Sequence, residues 1–279
     1  TKRLTVQMLE AAAELSVSAP DAGVPGETMG FTVHVKNKTG HKLPTGYADG
    51  RRIVLQVLID GKVLTGGFDG GHVIDDGWLR VYEAKHGMLG VGVEEHLAKH
   101  DVILKDTRIP PTGFAPPPGA ATLPVPGALY SNGDGTYADF DDVTWHFELP
   151  TNLTPGQTFE ITARLMYQAT TPEYVHFLEL ENRTTDAGRN LADIWRATGE
   201  AAPVEMARAT RSVFVLGPDA GTGGGAGGGG GGSPVMDGGA GGGAGGGAEP
   251  IPFRCGCTAS ELSALLPALL LLLRRRRIE

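Results

Sequence analysis

The sequence predicts an antiparallel β-sandwich of the immunoglobulin-like kind, with long loops and a few short helices. Three observations predict it. Apolar and polar residues alternate with period two in several runs of the first 217 residues, most cleanly over 159–167. Turn dipeptides separate these runs: Thr39-Gly40, Asp60-Gly61, Asn132-Gly133, Asp134-Gly135 and Pro155-Gly156. Helix-compatible spacing is confined to short stretches. Many short strands with Gly/Pro turns and few helices call for two stacked sheets.

The elements follow in order. Residues 5–15 are rich in Ala, Leu and Glu and predict a short helix, broken off by Pro20 and Pro25-Gly26. Phe31, Val33 and Val35 alternate with Thr32 and His34, a half-buried strand. Residues 54–59 are nearly all apolar, as in a strand covered on both faces. Asp60-Gly61 then predicts a tight hairpin between Ile59 and Val63. Val102 to Leu104 reads as a strand. Residues 109–126 hold seven prolines and no periodic pattern, so an extended surface loop is expected. Strands follow over 145–149 and 159–167, short helices over 173–181 and 191–197, and a closing strand over 212–216.

Composition divides the chain in three. Residues 1–217 carry the patterned body, long enough for one domain with a sizeable core. Residues 218–254 form a linker: 18 of the 43 glycines lie between Gly221 and Gly247. Such a tract has too little apolar surface to offset its ordering entropy and is expected to behave as a flexible coil. Residues 255–279 form a third segment with its own logic.

Net charge is −8, from 24 Lys+Arg against 32 Asp+Glu, with no basic stripe. Nucleic acid is therefore not an expected partner. Both cysteines lie in the third segment, so the body is no disulfide scaffold. The chain contains no Gly-x-Ser-x-Gly elbow, no phosphate-cradling Gly-x-x-x-x-Gly-Lys-Ser/Thr and no His-Glu-x-x-His. We expect no bond chemistry of its own.

Two groups of residues could hold ions. The stretch 132–142 alternates oxygen donors with glycine, and Asp134, Asp139 and Asp141 suit Ca2+, which takes roughly six to eight oxygens. It is not an EF-hand, because the terminal Glu is absent; the competing reading is a solvated turn. His96 and His100 have the i, i+4 spacing of a helical metal pair. Gly90 and Gly92 before them, and the strand after them, speak against a helix there. His34 and His146 fall on the polar phase of their strands and are expected to face solvent.

The most distinctive body segment is Asn37-Lys38-Thr39-Gly40-His41-Lys42-Leu43-Pro44-Thr45-Gly46-Tyr47, followed by Arg51-Arg52. Val81-Tyr82-Glu83-Ala84-Lys85-His86 comes next, then the run from Lys105 to Phe114, then Leu165-Met166-Tyr167-Gln168, and Trp195. This ordered set resembles the non-haem C-terminal regions of bacterial multihaem cytochrome c family proteins. Covalent haem needs Cys-x-x-Cys-His, which this chain lacks, so it is expected to hold no haem c itself. The resemblance implies a haem-bearing module upstream or in a partner cytochrome, with this body docked against it. It makes His41, Arg51, Arg52 and Arg108 candidate haem-docking contacts. Imidazole can ligate haem iron, and guanidinium pairs bidentately with carboxylates such as propionates. The structural alternative is that His41 pins its loop and the arginines pair with the body's acids. The chain opens on Thr1 rather than Met, and Thr1 is expected to be internal to a longer precursor, with 1–22 ending the upstream module.

In the third segment, Cys255-Gly256-Cys257 precedes an apolar run and then Arg274, Arg275, Arg276 and Arg277. The run is shorter than the roughly 20 residues of a spanning helix, and Pro267 lies inside it. The arginines are a positive-inside signal. This order resembles the C-terminal sorting signals (MYXO-CTERM) of myxobacterial surface proteins. It implies a short hydrophobic helix, recognition by a sorting protease, lipid modification of Cys255 or Cys257, and residence at the cell surface or outer membrane. Together these readings predict a surface-anchored docking portion of a multihaem-cytochrome-like protein, serving extracellular electron transfer. The alternative function is a free-standing surface module, stiffened by Ca2+, that binds a sugar or protein.

Overall fold

The computed structural model describes residues 2–115 and 129–217. All described residues lie within the unit Thr1–Gly225. The expected linker, the cysteines and the arginine cluster lie outside the described residues. Among the described residues no helix is long and apolar enough to cross a membrane.

The first half of the body runs α1 (Lys2–Glu10), β1 (Ala13–Ser18), β2 (Ala22–Gly23), β3 (Thr28–Asn37), β4 (Arg52–Ile59), β5 (Lys62–Thr65), β6 (Phe68–Asp69) and β7 (His72–Val73). The second half runs β8 (Arg80–Tyr82), β9 (Ala84–Met88), β10 (Gly92–Val93), a 3-10 turn (Leu97–Lys99), β11 (Val102–Asp106), β12 (Phe140–Glu148), β13 (Thr158–Gln168), α2 (Pro172–Glu181), α3 (Ala187–Ala197) and β14 (Val204–Val215). One sheet has the order β1-β3-β12 and the other β2-β14-β13-β4-β5, with β8 also pairing β4. The protein is an antiparallel β-sandwich, as the alternation predicts; among the described strands only the short β2–β14 pair is parallel. A separate small sheet, β10-β9-β11, carries the region of interest below.

The core lies between the two large sheets. Met29, Phe31, Val33 and Val35 of β3 are buried and alternate with partly exposed neighbours. Trp145 and Phe147 of β12 meet Phe31 at ring-centroid distances of 5.5 and 5.7 Å. Ile53, Leu55 and Val57 of β4 face them from the other sheet, with Ile161 and Leu165 of β13. The opposite face of β4 is also covered: Val54 packs with Val81 and Met166 beneath Phe68, Val73 and Leu79. Gly66 lets this cover lie flat, since a Cβ there would come within 2.5 Å of the Leu55 carbonyl oxygen. Two-faced burial is what the nearly continuous apolar run of β4 requires. The Asp60-Gly61 hairpin forms as expected, with both residues at positive φ and Ile59 opposite Lys62.

Several boundaries differ from expectation, and two of them are instructive. The first helix ends at Glu10, and Ala13, Leu15 and Val17 continue as β1 along β3. Helix propensity in this Ala-rich stretch yields to an edge position on the sheet, where Ala13 enters the core. Residues 2–18 are thereby built into the sandwich. The closing strand is longer than its apolar part: β14 begins at Val204, and its alternating Glu, Arg and Thr face solvent.

Polar groups also occupy inward positions. Asp141 lies on the buried phase of β12, where its Oδ2 accepts hydrogen bonds from Arg80 Nε at 2.7 Å and Tyr82 Oη at 2.9 Å. Burial, reinforced by the Asp141 carboxylate, holds the Tyr82 hydroxyl well above the usual phenol range, so it stays a neutral donor. This joint ties the two sheets across one end of the core. Asp141→Ala leaves a buried hydroxyl and a mostly buried guanidinium without their acceptor. We expect a loss of about 3 kcal/mol in urea unfolding, at the low end because Arg80 keeps some solvent access. Asp142→Ala, one residue on and facing outward toward His34, is expected to change stability by less than about 0.5 kcal/mol.

Candidate functional site

The loop between β3 and β4 is built from its first residue. Asn37 continues the inward phase of β3 but is fully buried and polar. Its Nδ2 donates to the carbonyls of His41 at 2.7 Å, Ile109 at 2.9 Å and Pro110 at 3.1 Å. Its Oδ1 accepts from the Thr39 amide and hydroxyl, both at 2.8 Å. Leu43 and Ile109 exchange backbone hydrogen bonds, and the Leu43-Pro44 peptide is cis. Lys42 and Arg108 both reach Asp106 at 2.8 Å. Burial opposes charge on Asp106, but the hydrogen bonds from Arg108 and Lys42 outweigh it and hold this carboxyl below its ordinary range. Gly46, at φ +86°, sits directly under the Arg51 guanidinium, which donates to the Thr45 carbonyl at 3.0 Å.

The sequence-predicted residues find separate fates here. His41 is exposed at the loop tip, and its imidazole makes no hydrogen bond among the described residues; only its backbone groups pin the loop. Arg51 borders an apolar cavity of about 270 Å³ lined by Met8, Leu9, Leu43, Pro44 and Tyr167. Arg52 faces the other way and is buried. Its Nε donates to Gln168 at 2.7 Å and its Nη2 to the Gly71 carbonyl at 3.2 Å. Arg108 is committed to Asp106. The structure does not bring the four together as one docking set.

The acidic trio is likewise dispersed. Asp134 holds its own turn through Thr136, Asp139 bonds the Thr112 hydroxyl, and Asp141 holds Arg80 and Tyr82. Each carboxylate already has protein donors, so the alternation of oxygens does not become a common cage.

A different group does converge. Among the described residues, one set of three His, Cys, Asp or Glu side chains could share a cation: Asp49, His86 and His100. They come from the end of the β3–β4 loop, the middle of β9 and the residue after the 3-10 turn. Asp49 is buried, and its Oδ1 accepts from the His86 amide at 3.2 Å and lies 2.5 Å from His86 Nδ1. The His86 and His100 rings stack 5.3 Å apart at 12°. Beside them an aromatic row, Tyr47–Tyr174–Phe177–His96, links the loop to α2 and the 3-10 turn. Burial, then Tyr174, raises the Tyr47 hydroxyl above the ordinary phenol range. His96 and His100 share no helix, because a 3-10 turn separates them, and His100 pairs instead with a histidine 14 residues earlier. Spacing could not reveal that partner. The one signal available was the recurrence of His86 in a segment of the cytochrome resemblance.

No family model matches the chain, and no curated protein sequence matches it. Solved structures of similar fold include a penta-haem cytochrome c552 from Thermochromatium tepidum. It is 14% identical with a TM-score of 0.44, over 75% of this chain and 41% of that one. The CARDB domain of a Pyrococcus furiosus protein, crystallised in complex with di-metal ions, is 12% identical with a TM-score of 0.28, over 73% and 92% of the two chains. Spo0M, a sporulation control protein of Bacillus subtilis, is 10% identical with a TM-score of 0.24, over 74% and 49%. This chain spans about two-fifths of the cytochrome's length. At these scores the likeness is weak, and no activity follows from it.

Two outcomes test the loop. Asn37→Ala strands several buried carbonyls at once, and we expect a loss of about 2–4 kcal/mol in urea unfolding. Asp106 contributes stability above its unfolded value of about pH 4, and that contribution is lost as pH falls through its lower folded value. Asp106→Asn is therefore expected to lower the Tm at pH 7 and to flatten the decline of Tm between about pH 4 and pH 2.

Proposed function

We propose that this chain is the haemless β-sandwich portion of a multihaem-cytochrome-like protein, held at the cell surface through its C-terminal segment. Its role is to dock a haem module and shape the contact surface in extracellular electron transfer. One observation carries the reading. The segments that resemble the multihaem family are far apart in sequence but interlock in space. The His41 loop is bonded to Ile109 and Pro110 through Asn37, and to Asp106 through Lys42. Arg52, just after that loop, holds Gln168 of the Leu165–Gln168 segment. The Val81-Tyr82 segment pairs with β4 immediately beyond. A set of motifs that folds into one connected region behaves as a unit, and a unit at a loop-rich end suits docking.

On this surface His41 and Arg51 present the groups that a haem edge would meet, an imidazole and a guanidinium. Arg52 and Arg108 support the surface from behind. The experiment is made on the protein isolated from its source. Expected are covalent-haem staining of the same polypeptide or of a co-purifying partner, and membrane-fraction recovery that depends on Cys255 and Cys257. A haem-free protein with no haem-bearing partner, recovered in the soluble fraction, overturns the reading.

A further inference from the structure

The convergence of Asp49, His86 and His100 carries an inference independent of the haem reading. One donor atom from each residue lies within 4.8 Å of the other two. Donors on a four-coordinate zinc lie about 3.3 Å apart, given bonds of about 2.0–2.1 Å, so the widest pair needs to close by about 1.5 Å at most. Small side-chain rotations supply that. Both imidazoles are only half-buried, so a cation can enter.

The hydrogen bonds around the group leave one donor atom per residue: the His86 Nδ1 hydrogen goes to Asp49, which leaves Nε2 its lone pair. Nε2 of His100 meets the backbone carbonyl of Glu94. A carbonyl can only accept, so Nε2 carries the hydrogen and Nδ1 keeps its lone pair. This outer bond to a backbone carbonyl is the usual way a ligating imidazole is oriented. Asp49 engages His86 through Oδ1, while its Oδ2 takes no hydrogen bond among the described residues. An Asp–His pair serving structure alone needs one imidazole; the second, stacked parallel, forms no bond to the first.

We propose that Asp49, His86 and His100 bind one borderline divalent transition-metal cation of the zinc or copper class, with a coordination position left to solvent. Imidazole nitrogens with one carboxylate suit these metals, whereas Ca2+ and Mg2+ prefer sets made of oxygen alone.

The test uses the full chain with Cys255→Ser and Cys257→Ser, because those thiols bind the same metals. Zn2+ is titrated calorimetrically, and bound metal is counted by mass spectrometry after desalting. Expected is one Zn2+ per chain, with affinity falling toward acid pH because protons compete for the ligand atoms. His100→Ala and His86→Ala are each expected to weaken binding at least tenfold, while His41→Ala and His34→Ala leave it unchanged. Cu2+ loaded on the parent needs no variant: its electron paramagnetic resonance spectrum is expected to show coupling to two imidazole nitrogens. Failure of the parent to retain Zn2+, full binding by the His86→Ala/His100→Ala double variant, or a copper spectrum without nitrogen coupling overturns the proposal.

Discussion

One side chain organises the loop-rich end of this sandwich. Asn37 stands where the β3 alternation would place another apolar residue, and it is buried as one would be. An amide there can both donate and accept. It therefore binds three carbonyls from two loops while turning its own successor, Thr39, back on itself. Neither a carboxylate nor an apolar side chain offers both functions. The β3–β4 loop, the Ile109-Pro110 strap and the position of Asp49 at the far end of the same loop depend on it.

Asp141 plays the matching part on β12. Inward polar residues on neighbouring strands mark the same end of the core, and each is hydrogen-bonded. The cost of burying them is offset by several hydrogen bonds apiece. Their reward is definition: the register of β3 and β12 places both at one end of the core.

The sandwich was legible because it rests on local patterns. Phe31, Val33 and Val35 on one phase announce a half-buried strand, and the nearly continuous apolar run of β4 announces burial on two faces. The β1 strand was not legible, since its Ala-rich approach favours helix and only pairing with β3 decides otherwise. The His/Asp group was illegible for a related reason. Asp49, His86 and His100 occupy three segments that meet only after β9 has paired with β11 and the β3–β4 loop has closed over them. Alternating Asp residues near 134–142 carried a local signal for Ca2+, but strand formation at Phe140 turned them toward different partners.

The pairing that places Asp141 opposite Val35 has a kinetic side. Phe140 lies opposite Lys36 and Glu148 opposite Thr28, so the first sheet joins residues more than 100 positions apart. The second sheet does the same where Ile161 meets Ile59. Neither ladder can start until β12 and β13 have been synthesised, and each must close a long stretch of chain before any contact rewards it. Such a topology places the protein among slow folders, on the millisecond-to-second scale rather than the microsecond scale of helical bundles. During that interval β4 lacks its β13 neighbour and the β12 side of the core, so its apolar run is only partly covered in the nascent chain.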